Sequence, residues 1–514
     1  MKTLHLVMIT GIVVTMIIII ISHQAFAQNM GGRVEVAHYQ ISQTLALGNS
    51  IYVTYQENSN SGPGNVFFRS SVDGGKNFGN IIKLNYETGD ASEPYVTVSG
   101  NNVYVAWDSS SLSDNSKHVF FRKSTDGGNS FGDAQLLDSG PQSGNTFIEQ
   151  LATNGPNVYA LMKYGNTTGN WNLLLKESND YGKTFDKPII LNEVGSSLTS
   201  KITISGTNVY VSSEYYANCS PMCRQSDIVL RQSVDNGSTF GGQINLSKGD
   251  DISNYHQMVT SDNDVYVAWQ EGQFPHIFFT KSADGGHTFS AKTDLSHNIG
   301  ESTSAHLTAQ GNNVYVAFYH YDNAYDKNNY KSGIYFTKSS DGGSTFSNPT
   351  LIHDYARPEI FGFAASSNDV FFSYGYEDTF GSPETLLIKS TDNGTSFGNP
   401  VLINKGLLWT GGFEGLAGGL TAHENHVYVI LRSTMPVDYL YVMASNNHGK
   451  DFGPLINLNH EENKTILCCS DVFVDAPRPA NIFQEGSGFI LLLLFGIPVA
   501  VLCTVVVLKS GKKQ

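Results

Sequence analysis

From Glu93 the chain runs EPYVTVSG, NNVYVAWD, a polar loop, HVFFRKS, a turn STDGGNSF, and FGDAQLL. Four short β-branched and aromatic runs, each bounded by Gly, Asn, Ser or Asp, predict four short strands. The second run recurs as IYVTY, VYVAW, VYALM, VYVSS, VYVAW, VYVAF, VFFSY and VYVIL, beginning at Ile51, Val103, Val158, Val209, Val265, Val314, Val370 and Val427. Spacers such as SGNN, SGTN and QGNN before it predict tight hairpins, because Gly and Asn tolerate positive φ. No part of these repeats has helical periodicity.

Between the third and fourth predicted strands lies a turn of the form Ser-x-(Asp/Asn)-x-Gly-x-x-Phe, present eight times. Its central residues are Asp73, Asp126, Asp180, Asp235, Asp284, Asp341, Asp392 and Asn447, at intervals of 49 to 57 residues. Such a period marks a repeat architecture. One four-stranded antiparallel sheet of this size cannot bury both its faces, whereas eight stacked radially do and leave only short protected edges. The expectation is an all-β protein: a β-propeller of about eight four-stranded blades from about His38 to Leu458. An open solenoid would need capping repeats that the sequence lacks.

Two apolar segments flank the repeats. Lys2, the stretch Leu6 to Ile21 and the sequence Ala25-Phe26-Ala27 predict a signal peptide over residues 1–27, with an uncleaved anchor as the alternative. Residues 489–508 supply about twenty apolar residues, enough to span a bilayer as a transmembrane helix. Lys509, Lys512 and Lys513 follow it, which places a tail of residues 509–514 in the cytoplasm and the repeats outside. The chain thus divides into an ectodomain (28–459), a stalk (460–488) containing Pro477 and Pro479, the membrane helix and the tail. The expected location is the cell membrane, single-pass, with the membrane itself as a partner.

Charge narrows the remaining partners. Asp plus Glu number 46 against 31 Lys plus Arg, a net charge of −15, which argues against nucleic acid. Asn166, Asn218, Asn236, Asn245, Asn393 and Asn463 begin Asn-x-Ser/Thr triplets, candidate glycan acceptors on a secreted surface. Cys219 and Cys223 in NCSPMC are candidates for a loop-closing disulfide in an oxidising compartment. Adjacent Cys468 and Cys469 are poorly placed to bond to each other.

The recurring turn resembles the Asp-box, or BNR repeat, of sialidase-like propellers, with seven good copies and a degenerate eighth, SNNHGKDF. The resemblance implies a structural turn and not an active site, in which Asp accepts backbone hydrogen bonds, Gly permits a left-handed turn and Phe packs inward. It also implies a test for enzymatic activity. Sialidases use three arginines, the first in a Phe/Tyr-Arg-Ile-Pro stretch that is absent here, with a Tyr/Glu pair and an acidic Asp. Arg69, Arg122 and Arg231 recur in the third strand and read as blade surface, which leaves Arg224, Arg357 and Arg432, with Glu359 and Glu414, as catalytic candidates.

In an up-and-down blade the turns between strands three and four share a face with the hairpins between strands one and two. Function belongs on the opposite face, carried by loops on a rigid scaffold. The aromatic candidates there are Trp171, Tyr215, Tyr216, Tyr321, Tyr325 and Tyr376, with a long blade 4 loop from Glu214 to Asp227. Aromatic rings beside carboxylates suit a glycan, and equally an extracellular protein. Asp322 and Asp326 match no defined calcium loop, and neither metal nor cofactor is expected. The preferred expectation is ligand binding without catalysis. The alternatives are an exo-sialidase-like glycoside hydrolase with a divergent site and an architectural cell-surface protein.

Overall fold

The computed structural model describes residues 38–460 except 59–62, 87–88, 111–115, 139–144, 166–169, 193–194, 218–224, 250, 321–331, 355–358, 378–382, 404–418 and 434–438. The chain divides into two compact units, Met1–Lys464 and Thr465–Gln514, and every described residue belongs to the first. The predicted signal peptide, stalk, membrane segment and tail lie outside the described residues, as do Cys219, Cys223, Cys468 and Cys469. Among the described residues no helix is long and apolar enough to cross a membrane.

Eight antiparallel sheets of four strands each follow one another along the chain, every sheet built from consecutive strands. The first strands are His38–Leu47, Ala91–Ser99, Thr146–Asn154, Ser196–Ser205, Ser253–Ser261, Ser302–Gln310, Glu359–Ser366 and Leu420–His423. Each touches the first strand of the next blade and the eighth touches the first, so these strands form the inner ring of a closed β-propeller. The fourth strands, mostly two residues long, form the outer edge.

Burial explains the second-strand sequence. One face of it packs on the preceding blade and the other on the following one, so nearly every residue is buried and the strand reads as a continuous apolar run. Its second position carries a buried Tyr in seven blades and Phe371 in the seventh. Each core cluster joins two successive blades, for example Tyr104, Phe121, Ile148 and Val158 between blades 2 and 3.

The recurring turns fasten each blade to the one before it. In blade 1, Asp73 Oδ1 accepts from the Ser71 hydroxyl at 2.8 Å and from the backbone N–H groups of Lys76 and Asn77, while Gly75 N–H donates to Ser71 Oγ at 3.1 Å. The fourth and fifth residues of each turn both have positive φ, Gly74 and Gly75 here, Tyr181 and Gly182 in blade 3. A Cβ on the fifth residue would meet an aromatic ring of the preceding blade: Tyr428 at 3.0 Å from Gly75, Tyr159 at 2.8 Å from Gly237, Tyr210 at 2.6 Å from Gly286. The terminal Phe also packs backward, Phe131 edge-on to Phe68 with centroids 5.0 Å apart and Phe346 to Phe279 at 4.8 Å.

In the eighth turn Asn447 keeps the geometry by exchanging chemistry. Its Oδ1 accepts from Ser445 Oγ at 2.9 Å and Asp451 N–H at 3.0 Å, while its Nδ2 donates to Asp451 Oδ2 at 3.0 Å. Elsewhere the Asp accepts from a hydroxyl or amide at that seventh position, as Asp284 Oδ2 does from Thr288 Oγ1 at 2.6 Å. The turns also dock on their own blade's first hairpin, as in Gly127 N–H to Asn101 O at 2.9 Å and Gly342 N–H to Asn312 O at 2.9 Å. The two sets of turns therefore share one face.

The ring closes without exchanging a strand, since blades 1 and 8 are each contiguous. Tyr55, Val53, Ile430 and Leu440 form one buried cluster across the seam. Arg69 reaches over it: Nη1 donates to Asn457 O at 2.7 Å and Leu458 O at 3.3 Å, and Nε to Gly79 O at 2.8 Å. Arg69 and Arg122 are only 5% and 9% exposed, which corrects the reading of these two third-strand arginines as blade surface, whereas Arg231 is partly exposed.

Candidate functional site

The face opposite the hairpins is formed by the ends of the second strands, the starts of the third and the approaches to the first. The sixth residue of each second-strand motif stands there, one per blade: Gln56, Asp108, Lys163, Glu214, Gln270, Tyr319, Gly375 and Arg432. This position meets an irregularity in the next first strand. The pairing of first and second strands slips near the mouth in blades 1 to 7, at Ser92/Tyr95 in blade 2 and Asn254/Gln257 in blade 5 for example. A bulge leaves an N–H without its ladder partner.

The preceding blade supplies the partner. Gln56 Oε1 accepts from Glu93 N–H at 2.8 Å, Asp108 Oδ1 from Ile148 N–H at 2.8 Å, Glu214 Oε1 from Tyr255 N–H at 2.6 Å and Gln270 Oε1 from Ser304 N–H at 3.2 Å. Between blades 3 and 4 a relay does the same, Lys163 Nζ pairing with Glu149 Oε1 at 2.6 Å while Glu149 Oε2 accepts from Ser200 N–H at 3.0 Å. Glu93, Tyr255 and Ser304 have φ of 51°, 52° and 55°. A left-handed tyrosine is a strained conformation, held here by the buried Glu214.

Tyr255 is 62% exposed on this face, and Ile252 and Phe274 of the same blade are 41% and 65% exposed. Gly272 N–H donates to Ile252 O at 3.0 Å, tying the two loop ends of that blade together. Beside it, in blades 3 and 4, Trp171 lies edge-on to Phe147 at 5.7 Å, with Lys163 Nζ 5.8 Å from the Phe147 ring centre. Trp171 N–H donates to Ser196 Oγ at 2.8 Å, and the neighbouring Gly195, at φ +77°, leaves no room for a Cβ beneath the Tyr215 ring. The structure thus brings Trp171 and Tyr215 to one sector.

Burial sets the protonation chemistry of that sector. Asp108 is held well above the usual carboxylate range by burial, opposed by the Ile148 N–H bond and reinforced by Glu93. Burial also raises Glu149, against the pull of Lys163, and Glu214, against the bond from Tyr255 N–H. Tyr95 is raised by burial and by Glu149, Glu93 and Asp108. His256 is pushed down to about 3 by burial and by Lys201, with its Nε2 2.8 Å from Ser212 Oγ. Asp108 and Glu214 thus serve as buried acceptors of backbone N–H groups, and Glu149 as the partner of Lys163. No group of His, Cys, Asp or Glu suited to a metal ion occurs among the described residues.

Of the remaining candidates, Tyr216 is turned inward, 9% exposed. Glu214, Tyr215 and Tyr216 continue the second strand, Asn208–Tyr216, so the blade 4 connection is shorter than the run from Glu214 to Asp227. Arg432 stands half-buried at the sixth position of blade 8. Tyr376 lies in the second strand of blade 7, where it pairs with Glu384, and Glu359 opens the first strand of that blade, where it pairs with Gly375. Their side chains, together with Arg224, Arg357, Glu414, Tyr321 and Tyr325, lie outside the described residues. Tyr255 and Glu149 carried no sequence signal, because the irregularities at Asn254/Gln257 and Leu161/Met162 break the two-residue alternation.

No protein-family profile matches the chain, and neither does any curated protein. Similar solved structures include a polysaccharide lyase at 11% identity, covering 71% of this chain and 93% of that one with a TM-score of 0.46. A Hadza microbial sialidase is 14% identical over 55% of this chain and 63% of that one, with a TM-score of 0.37. An alpha-L-arabinanase from Penicillium chrysogenum is 13% identical over 55% of this chain and 88% of that one, with a TM-score of 0.37. Resemblance at this level carries nothing about ligand or reaction.

Proposed function

We propose that this chain is a sialidase-like Asp-box propeller, tethered outside a cell membrane, that binds a glycan through the face opposite the boxes. The observation that carries the reading is Tyr255, an exposed ring held in a left-handed conformation by the buried Glu214 carboxyl. Strain of this kind is retained where the aim of a side chain matters. Tyr215 in the adjoining blade 4 and Trp171 in blade 3 add aromatic surface, and Glu93 in blade 2 and Lys163 in blade 3 add polar groups. An aromatic ring covers the C–H face of a sugar while the polar groups take its hydroxyls. The apolar segments at residues 6–21 and 489–508 support secretion and tethering.

A second reading is glycoside hydrolysis, favoured by the raised carboxyl of Asp108 beside Glu93 and Tyr95. A carboxyl raised above its ordinary range is what a general acid requires. Glycan-array binding and fluorogenic-glycoside hydrolysis by secreted residues 28–459 separate the two. Binding without turnover supports the first reading, turnover lost in Asp108→Asn supports the second, and neither binding nor turnover leaves the architectural role.

A further inference from the structure

One position of the third strand, next to its last residue, faces the recurring turn of the following blade at every junction. In blades 5 and 6 it is a lysine whose ammonium donates into that turn: Lys281 Nζ to Gly342 O at 2.7 Å, and Lys338 Nζ to Asn393 O at 3.0 Å. Lys389 donates in the same way to His448 O, and in blade 4 the Gln232 amide donates to Gly285 O. In each case the acceptor is the carbonyl of the turn's fourth residue. In these four blades the position supplies a donor to a carbonyl held against the preceding blade, whereas Ala444 stands there in blade 8.

Blade 3 places Glu177 there instead. The equivalence is geometric: a Cβ on the fifth residue of the next turn would lie 3.4 Å from Glu177 Oε2 at Gly237, 3.2 Å from Gln232 Oε1 at Gly286 and 3.5 Å from Lys281 Cδ at Gly343. Asn236 O, the matching carbonyl, accepts from Tyr159 Oη at 2.7 Å, just as Gly285 O accepts from Tyr210 Oη at 3.0 Å beside Gln232. An ionised carboxylate has no hydrogen to offer that carbonyl, and a carboxylic acid does.

We propose that Glu177 is a proton-dependent latch between blades 3 and 4, which as the carboxylic acid fills the donor role of Gln232 and Lys281 and as the carboxylate releases the turn of blade 4. The charged groups that bear on it reinforce the acid form. Asp235 belongs to the turn it faces, Asp186 follows blade 3's own turn and donates its N–H to Glu177 O at 2.8 Å, and the Tyr159 hydroxyl lies across the strand pair. Burial, then Asp186 and Asp235, raise the carboxyl to about 7. A raised acid favours the folded junction below its unfolded value and loses that advantage as pH rises through the folded one. Opening of the junction therefore increases with pH between about 4.5 and about 7, by at most roughly tenfold per unit.

The test is hydrogen exchange of the full-length chain from pH 5 to 8.5, read on amides of residues 236–241 in wild type and Glu177→Gln. A ratio of protection between the two, at each pH, cancels the intrinsic exchange rate. The expected result is a ratio near one at pH 5 and a loss of at least tenfold in the wild type relative to the variant by pH 8. A ratio that stays constant across the range overturns the proposal. Gln232→Glu provides an independent arm: it should import the same pH dependence into residues 285–290 between blades 4 and 5, and its failure to do so also overturns the latch.

Discussion

The two glycines of a single turn give opposite expectations. In blade 2, Gly127 and Gly128 have φ of +73° and +90°. A Cβ on Gly127 meets nothing within 4 Å, whereas one on Gly128 lies 2.7 Å from Cε1 and Cζ of Phe68. That ring is fully buried and braced edge-on by Phe131 at 5.0 Å, so it cannot yield. Gly128→Ala therefore combines a left-handed penalty of about 1–2 kcal/mol with overpacking of about 1–3 kcal/mol, about 2–5 kcal/mol together. Gly127→Asn should cost less than about 0.5 kcal/mol, since Asn236 and Asn393 occupy the same position in blades 4 and 7 at φ of 58° and 56°. For a domain of this size the unfolding entropy is roughly 0.9 kcal/mol per kelvin, so Gly128→Ala lowers the melting temperature by about 2–6 °C. Calorimetry with a parallel urea titration measures this. Equal effects at the two positions, or a neutral Gly128→Ala, would refute the view that the fifth glycine is required by contact with the preceding blade.

Three further expectations concern the ring. Arg69→Ala removes charged donors from the seam carbonyls and should cost about 3 kcal/mol, with hydrogen exchange rising first in residues 456–460; exchange that rises uniformly around the ring would count against a seam role. Asn447→Asp places a carboxylate against Asp451 and should destabilise blade 8, and adding Asp451→Ser should restore the loss, as a double-mutant cycle in urea will record. Hydroxyl and backbone donors hold Asp126, Asp235 and Asp284 down to about 2, below the unfolded value near 3.9. The stability they contribute is complete above about pH 4 and is lost as pH falls towards 2, so the denaturation midpoint should drop over that window, less steeply in Asp126→Asn with Asp235→Asn.

Much of the architecture was legible in the chain because the information is local and repeated eight times. Val103 to Trp107 is apolar throughout because blades cover both sides of it, and the eightfold turn marks where each third strand ends. Arg69 was not legible, since its role depends on blade 8 standing beside blade 1, a relation between residues almost 400 apart. Tyr255 was hidden for another reason. The bulge at Asn254/Gln257 adds a residue, and counting by twos past it assigns the wrong side. Glu214, read from the sequence as the start of a loop, is a buried acceptor within the strand Asn208–Tyr216 because its partner, Tyr255 N–H, comes from the next blade.

The central claim is that ligand binding resides on the face opposite the turns, with Tyr255 as an aimed contact. Glycan-array affinity of secreted residues 28–459 should be measured for the wild type, Tyr255→Ala, Glu214→Ala and Asp284→Ala, alongside their melting temperatures. The account predicts that Tyr255→Ala and Glu214→Ala lose at least tenfold in affinity for whichever array glycan the wild type binds. Asp284→Ala should lose thermal stability and keep its affinity. Affinity abolished in Asp284→Ala at an unchanged melting temperature, with Tyr255→Ala binding as wild type does, would contradict it.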